Sequence, residues 1–331
     1  MRTLLPLVLL VAVMIGFPVP SLAQDEKLGT IDFPTSGPSD AHKAFVRGVL
    51  YLHSFEYPSA AAEFRKAQDL YPGFAMAYWG EAMSHTHPIW NEQNLQAARD
   101  VLNRLAPTRE GRQSKAVTPS EKMYLDAVEI LYADGKKASR DTSYSAAMKR
   151  IVDTFPEDNE AKAFYSLALL GLNQGVRDVK TYVRAGEIAE TLFKSNPDHP
   201  GAAHYVIHSF DDAEHAPRGL DAARAYSKIA PGAAHAQHMT THIFLAMGMW
   251  DEVVSQNEIA SGHNHDAWTP HHYTSWLHYA YLQQGRYSDA LRMLEGMLPC
   301  QSETLSPRQR RALMVMRVRH IIETEEWDAA P

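Results

Sequence analysis

The stretch AHKAFVRGVLYLHSFEYPSAAAEFRKAQDLYP, residues 41–72, decides the fold, because its apolar and small residues recur with a helical period. Gly48 lies on the first of two predicted helices, while Ala60 and Phe64 lie on the second. Small residues allow antiparallel helices to approach closely, and an aromatic ring can fill the space between neighbouring helix pairs. Pro72 ends the second helix, because it lacks the backbone amide that a helix needs. The stretch therefore predicts one helix–turn–helix unit.

This unit recurs along the chain. Residues 58–80 (PSAAAEFRKAQDLYPGFAMAYWG) align without a gap with residues 217–239 (PRGLDAARAYSKIAPGAAHAQHM), so that Pro72-Gly73 falls on Pro231-Gly232. The order of small, aromatic, alanine and proline positions resembles that of the tetratricopeptide repeat (TPR) family. Further helix pairs are predicted at residues 74–105, 120–155, 159–193 and 266–298.

The resemblance implies an all-α protein, an α-solenoid of TPR-like repeats, over residues 41–331, with residues 24–40 as an N-terminal linker. It also implies that the first helix of each pair lines a concave groove. Residues 308–323 begin a further repeat that is incomplete, because the chain stops soon after the turn at Glu326-Trp327-Asp328. We expect either that this single helix caps the solenoid or, as we favour, that the chain is a piece of a longer one.

The first 23 residues are typical of a secretory signal peptide. Arg2 is followed by a short apolar run, residues 4–17, and Ser21-Leu22-Ala23 has the small residues of a cleavage site. We therefore expect a secreted or periplasmic protein that begins at Gln24. No other stretch approaches the length of a membrane span, so we expect none after signal removal.

Charge and cysteine content exclude two classes of site. The formal net charge of -7 and the absence of a basic run argue against nucleic-acid binding, which needs a positive surface. Cys300 is the only cysteine, so neither an intrachain disulfide nor a site of paired thiolates is possible.

Histidines are concentrated between residues 199 and 278, which hold twelve of the seventeen. HAQHMTTH places His235, His238 and His242 on one helix face, and HYVIH places His204 and His208 at positions i and i+4. An i, i+4 pair offers two imidazole nitrogens to one metal ion, and a neighbouring helix can complete the ligand set. The five residues therefore predict a metal site, and nitrogen ligands without thiolate suit zinc or copper.

Four further residues are expected to face the same groove: His87, Trp90, His215 and His272. The groove of a TPR-like protein can also hold a peptide or a partner protein, which is the alternative function. A zinc-protease motif is excluded, because Tyr205 stands where that motif needs a glutamate. No residue can be assigned a catalytic role from the sequence.

Other polar residues of these stretches have simpler expected roles. The carboxylates that follow HYVIH, in residues 209–215, could orient the tautomers of the histidine ligands or cap the next helix, and we favour capping for Asp212 and Glu214. Isolated helical histidines are usually hydrogen-bonded packing residues, and we expect this of His42, His53, His278 and His320.

Overall fold

The computed structural model describes residues 27–173, 175–262, 269–297 and 305–328. The expected signal peptide (residues 1–23), Cys300, His263 and His265 lie outside these residues. Almost all regular structure in the described part is helical, which confirms the all-α class. The exception is a two-stranded antiparallel pair, β1 (Thr86–His87) and β2 (Glu92–Gln93), joined by a 3₁₀ turn, Pro88–Trp90. The helices are α1 (Ser39–His53), α2 (Tyr57–Leu70), α3 (Ala75–Met83), α4 (Leu95–Leu105), α5 (Arg109–Gln113), α6 (Pro119–Leu131), α7 (Lys137–Thr154), α8 (Asn159–Leu170), α9 (Val179–Ser195), α10 (Pro200–Ser209), α11 (Ala216–Ile229), α12 (Ala234–Ala246), α13 (Trp250–Ala260), α14 (His272–Gln283), α15 (Tyr287–Met297) and α16 (Pro307–Thr324).

The helices stack as hairpins in chain order, as the repeats predicted. Each of the pairs α1–α2, α3–α4, α6–α7, α8–α9, α10–α11, α12–α13 and α14–α15 packs together. Most first helices also touch the first helix of a neighbouring pair: α1 packs on α3, α3 on α6, α8 on α10 and α10 on α12. These first helices therefore share one face of the solenoid. The small helix α5 lies between the second and third hairpins.

Glycines allow the first three helices to pack closely around the ring of Phe64. A Cβ atom built on Gly48 would lie 2.7 Å from the Phe64 ring, and one built on Gly80 would lie closer still. The ring is fully buried between α1, α2 and α3. The predicted roles of Gly48 and Phe64 are thus confirmed.

The residues before α1 pack against the solenoid instead of forming a free linker. Phe33 is buried, with ring centroids 5.3 Å from Phe45 on α1, 5.8 Å from Trp79 on α3 and 5.0 Å from Tyr124 on α6. Its partners lie on three first helices, so the segment runs along the face that these helices share. The Thr30 amide also donates to the carbonyl of Asp198, just before α10.

Helix α1 itself packs on α10, which brings the first and fifth hairpins together. This contact places the end of α1 beside the histidines of α10 and α12. At the other end of the described chain, α16 packs on α14 and α15 through Leu313, Met316 and His320. No helix among the described residues has both the length and the hydropathy of a membrane span.

Candidate metal centre

The predicted histidines lie on the first helices of three successive hairpins, and they form two groups of three. In each group the three ligand nitrogens lie within 4.8 Å of one another. The inner cluster consists of His204, His208 and His235, and the outer cluster consists of His238, His242 and His272. The five residues predicted as one ligand set are therefore divided between two sites, and the predicted groove residue His272 completes the second.

The inner cluster presents three buried nitrogens without a partner. Nε2 of His204, of His208 and of His235 all lack a hydrogen bond among the described residues. His204 Nδ1 lies 2.6 Å from the backbone oxygen of His53, and because a carbonyl only accepts, Nδ1 carries the proton. Nε2 of His204 is then a lone-pair acceptor. His235 Nδ1 lies 3.3 Å from the hydroxyl of Tyr273.

Burial keeps these three imidazoles neutral. Loss of hydration lowers the pKa of His204 to about 3, and it lowers the pKa of His208 and of His235 well below the ordinary histidine value. The histidines also disfavour a charge on one another. At neutral pH the cluster therefore offers unprotonated nitrogens, the form that binds a metal.

An aromatic side chain, Phe55, covers the inner cluster. Its ring centroid lies 4.3 Å from that of His204, 5.7 Å from His208 and 5.5 Å from His235. Trp90 lies edge-on to Phe55 at 5.6 Å and to His235 at 6.0 Å, and it is 40% exposed. The inner cluster is thus separated from solvent on this side by two aromatic rings.

The backbone of Phe55 is in an uncommon conformation. Its φ is 56°, in the left-handed region, which a bulky residue rarely adopts. It follows the C-cap of α1, and the next amide, of Glu56, donates to the Tyr51 carbonyl at 3.0 Å. This hydrogen bond belongs to the Schellman motif, in which many helices end and in which the left-handed residue is usually glycine. Gly248 and Gly285 occupy that position after α12 and α14.

The outer cluster has two nitrogens that face each other. His238 Nε2 and His242 Nε2 lie 3.2 Å apart. On the far side of each ring, His238 Nδ1 lies 2.8 Å from Oδ1 of Asn257, and His242 Nδ1 lies 2.7 Å from a carboxylate oxygen of Asp211. His272 is the third member and is exposed. Burial works against the ionised form of Asp211, but the His242 ring holds the pKa of this carboxyl below its usual value.

Two rings of α14 border the outer cluster. Trp276 lies 4.3 Å from His242 between ring centroids, and Tyr273 lies 4.4 Å from His238. Tyr273 also touches His235, so it stands between the two clusters. The clusters adjoin, with centroids 6.2 Å apart for His208 and His242.

A third buried group, His53 with Glu160 and His199, supports the inner cluster without being a metal site. Glu160 accepts from Nε2 of His53 at 2.7 Å and from Nε2 of His199 at 3.0 Å. The remaining ring nitrogens are used as well, by the Tyr205 hydroxyl at 2.8 Å and the Ala202 amide at 3.1 Å. Although burial opposes it, the two rings hold the pKa of Glu160 at about 2. This network fixes His53, as expected of a packing residue, and its carbonyl in turn orients His204.

The other predicted groove residues lie in two places. His87 stacks on Tyr57 at 4.0 Å, beside Trp90 and thus next to the Phe55 cover. His215 instead pairs with Asp212, whose carboxylate lies 2.8 Å from Nδ1 and also accepts two backbone amides of the turn before α11. Asp212 therefore stabilises the turn before α11, whereas the N-cap of α11 is His215 and no side chain caps the helix itself.

The roles of Phe55 and Asn257 were not predicted, whereas Asp211 belongs to residues 209–215, whose carboxylates were considered as orienting groups. A signal for Phe55 exists in the sequence, because FEYPSA aligns with GRYSDA at residues 285–290, where the first position is the turn glycine. Asn257 gave no such signal, since its role depends on which helices meet.

No family model and no curated protein matches the sequence. Solved structures that match include the TPR protein TTC0263 of Thermus thermophilus, at 18% identity over 56% of this chain and 92% of that one, with a TM-score of 0.37. The TPR2AB domain of yeast Sti1 in complex with pHSP90 matches at 14% identity, covering 85% of this chain and 98% of that one, with a TM-score of 0.32. Yeast Tom70 matches at 9% identity, over 83% of this chain and 72% of that one, with a TM-score of 0.33.

The matched structures are TPR proteins, in keeping with the resemblance seen in the sequence. Their identities and TM-scores are low, so they carry no argument about what this chain binds. The solenoid class follows from the packing of its own helices.

Proposed function

We propose that this chain is a metal-binding helical solenoid whose inner cluster holds a first-row transition metal ion, Zn²⁺ or Cu²⁺. Two observations carry the proposal: one ring nitrogen from each of the three histidines lies within 4.8 Å of the others, and each ring has a buried Nε2 without a hydrogen-bond partner. A buried acceptor without a partner costs about 1–3 kcal/mol. One ion would satisfy all three atoms at once.

The ligand chemistry supports this assignment. Three neutral imidazoles leave at least one coordination position for water or an external ligand, as zinc sites that act on substrates do. The His204 ring is already oriented by the His53 carbonyl, and such outer contacts are typical of metal-binding histidines. The only support for a catalytic role is that three ligands leave a coordination position of the ion open. The proposed export of the protein rests on residues 1–23 of the sequence alone.

A peptide or partner protein in the groove is the weaker candidate for two reasons. A peptide carbonyl or carboxylate needs hydrogen-bond donors, whereas Nε2 of His204 is an acceptor. In addition, residues around Phe33 already cover the shared face of α1, α3 and α6. A peptide would have to displace this segment or bind beyond it.

Metal content tests the proposal. The full chain is stripped with a chelator, loaded with Zn²⁺, dialysed and analysed for metal, in the wild type and in the His208→Ala variant. His208 is the choice because its Nε2 has no hydrogen bond to lose. We expect the inner ion to bind at least 10–100-fold more weakly, since even loss of an orienting partner costs that much.

His42→Ala is the matched control, because His42 is a helical histidine bonded to Thr35 at the start of α1, away from both clusters. It should retain the wild-type metal content. Equal zinc in the His208→Ala and wild-type chains would contradict the inner site. Metal-free protein that captures a peptide would favour the alternative.

A further inference from the structure

When their rings are neutral, the two facing nitrogens of the outer cluster are both lone-pair acceptors. The Asp211 carboxylate only accepts, so in a neutral His242 ring Nδ1 carries the proton and Nε2 is the acceptor. The same holds for His238, because the Asn257 amide presents its oxygen to Nδ1. That orientation is fixed by the other end of the amide, whose nitrogen donates to the Val253 carbonyl at 3.0 Å.

Two lone pairs at 3.2 Å repel each other unless a cation lies between them. The separation also fits two ligands of one metal ion. With a metal–nitrogen bond of about 2.0–2.1 Å, two ligands of a tetrahedral ion lie about 3.3 Å apart. His272 supplies a third nitrogen within 4.8 Å, from the next first helix.

The two clusters differ in their access to solvent. The inner one is buried under Phe55, whereas the outer one includes the exposed His272 and lies beside Trp276. An ion at the outer cluster can therefore exchange an external ligand more readily than an ion at the inner cluster.

We propose that His238, His242 and His272 bind a second first-row metal ion, which is open to an external ligand. Asp211 and Asn257 are its positioning residues, because they fix the tautomers of His242 and His238. This site goes beyond the proposed function and does not depend on it, since the two clusters share no ligand. The chain then carries a covered ion and an accessible ion side by side.

Metal stoichiometry tests the second site. After chelation and loading with Zn²⁺, we expect two ions per wild-type chain, one per His208→Ala chain and one per His272→Ala chain. His272 is exposed, so its loss should leave the fold intact, which circular dichroism would verify. His215→Ala is the control, because His215 pairs with Asp212 outside both clusters, and it should keep two ions.

The variants separate the failure of one site from that of the other. If His272→Ala keeps the full metal content, or if the wild type binds a single ion that only His208→Ala removes, the second site is overturned and the inner site stands. A single ion that only His272→Ala removes would support the second site and overturn the inner one. No bound zinc in the wild type would overturn both.

Azide tests whether the outer ion is open to an external ligand, and the Asp211→Asn variant tests whether Asp211 orients His242. Azide should change the visible spectrum of the Co²⁺-loaded wild type and of His208→Ala, but not that of His272→Ala. Asp211→Asn should weaken the outer ion by about 10–100-fold and leave the inner ion unchanged, as loss of an orienting carboxylate does. An azide effect that survives in His272→Ala, or unchanged affinity in Asp211→Asn, would contradict the assignment.

Discussion

Phe55 combines an unfavourable backbone with a central place over the inner cluster. Left-handed backbone costs a residue with a side chain about 1–2 kcal/mol relative to the right-handed form. The ring compensates by packing on three imidazoles and on Tyr205. Backbone strain that persists is typical of functional sites, where the surroundings hold a side chain in place. We infer that the ring of Phe55 keeps solvent away from this side of the cluster, a role that glycine could not fill.

Two substitutions at Phe55 separate the cost of the backbone from the contribution of the ring. Phe55→Ala should lower the free energy of unfolding by about 3–5 kcal/mol, because a large buried side chain is lost. Phe55→Gly should be about 1 kcal/mol more stable than Phe55→Ala, since glycine adopts a positive φ without strain. Urea unfolding measures both.

The control pair is Phe164→Ala and Phe164→Gly. Phe164 is also buried but lies within α8, where glycine should be about 1 kcal/mol less stable than alanine. The same order of stability at both positions would show that Phe55 stores no backbone strain.

At the scale of single elements, α14 and α16 meet through two histidines with few partners. The rings of His278 and His320 lie 5.6 Å apart, and both nitrogens of His278 and Nδ1 of His320 are buried without a hydrogen bond among the described residues. These two were expected to be hydrogen-bonded packing residues, but their packing leaves polar atoms unsatisfied. Burial lowers the pKa of His278 to about 3, with Arg319 and His320 acting in the same direction. The pKa of His320 is also lowered by burial, against the opposing effect of Glu326.

This pair predicts an acid-sensitive contact. Because the folded pKa lies below the unfolded value of about 6.5, only the unfolded chain takes up the proton as the pH falls from 6.5 toward 3. The stabilisation is complete above 6.5 and is lost below it. For His278 alone, the loss between pH 7 and pH 5 is as much as about 2 kcal/mol.

His278→Leu should remove this part of the pH dependence and, by eliminating two unsatisfied atoms, raise stability at pH 7 by about 1–3 kcal/mol. The measurement is urea unfolding of wild type and variant at pH 7 and at pH 5. The difference between the two proteins in how their free energy of unfolding changes with pH isolates His278 from the other histidines. Parallel slopes would contradict the assignment.

Helical period predicted the elements of the site but not their partners. The i, i+4 spacing placed His204 with His208 and His238 with His242 on common faces, and both pairs are together in the structure. The division into two clusters depends on contacts across α10, α12 and α14, and on the end of α1, which lies some 150 positions earlier in the chain. Such contacts leave no local pattern. The docking of Phe33 is a similar case, because an extended segment has no period from which packing could be read.

At the scale of the molecule, the proposed ions would join successive hairpins. The inner cluster takes ligands from α10 and α12, and the outer cluster takes them from α12 and α14. In a solenoid, stability is a sum over repeats and over the interfaces between neighbours. A metal that binds only the folded state adds about 2.7 kcal/mol when its concentration is 100 times its dissociation constant. The ions should therefore stabilise two particular interfaces and leave the earlier ones unchanged.

Hydrogen exchange of the full chain, with Zn²⁺ and after addition of a chelator, tests this distribution. Chelation should accelerate amide exchange in α10, α12 and α14 by as much as about 100-fold, because local opening there no longer has to release an ion. Exchange in α6 and α7 should stay the same, since these helices hold no member of either cluster. The double variant His208→Ala/His272→Ala should exchange like the chelated wild type whether or not zinc is present. A chelator effect spread evenly over all helices, or one that persists in the double variant, would mean that the ions do not hold these hairpins together.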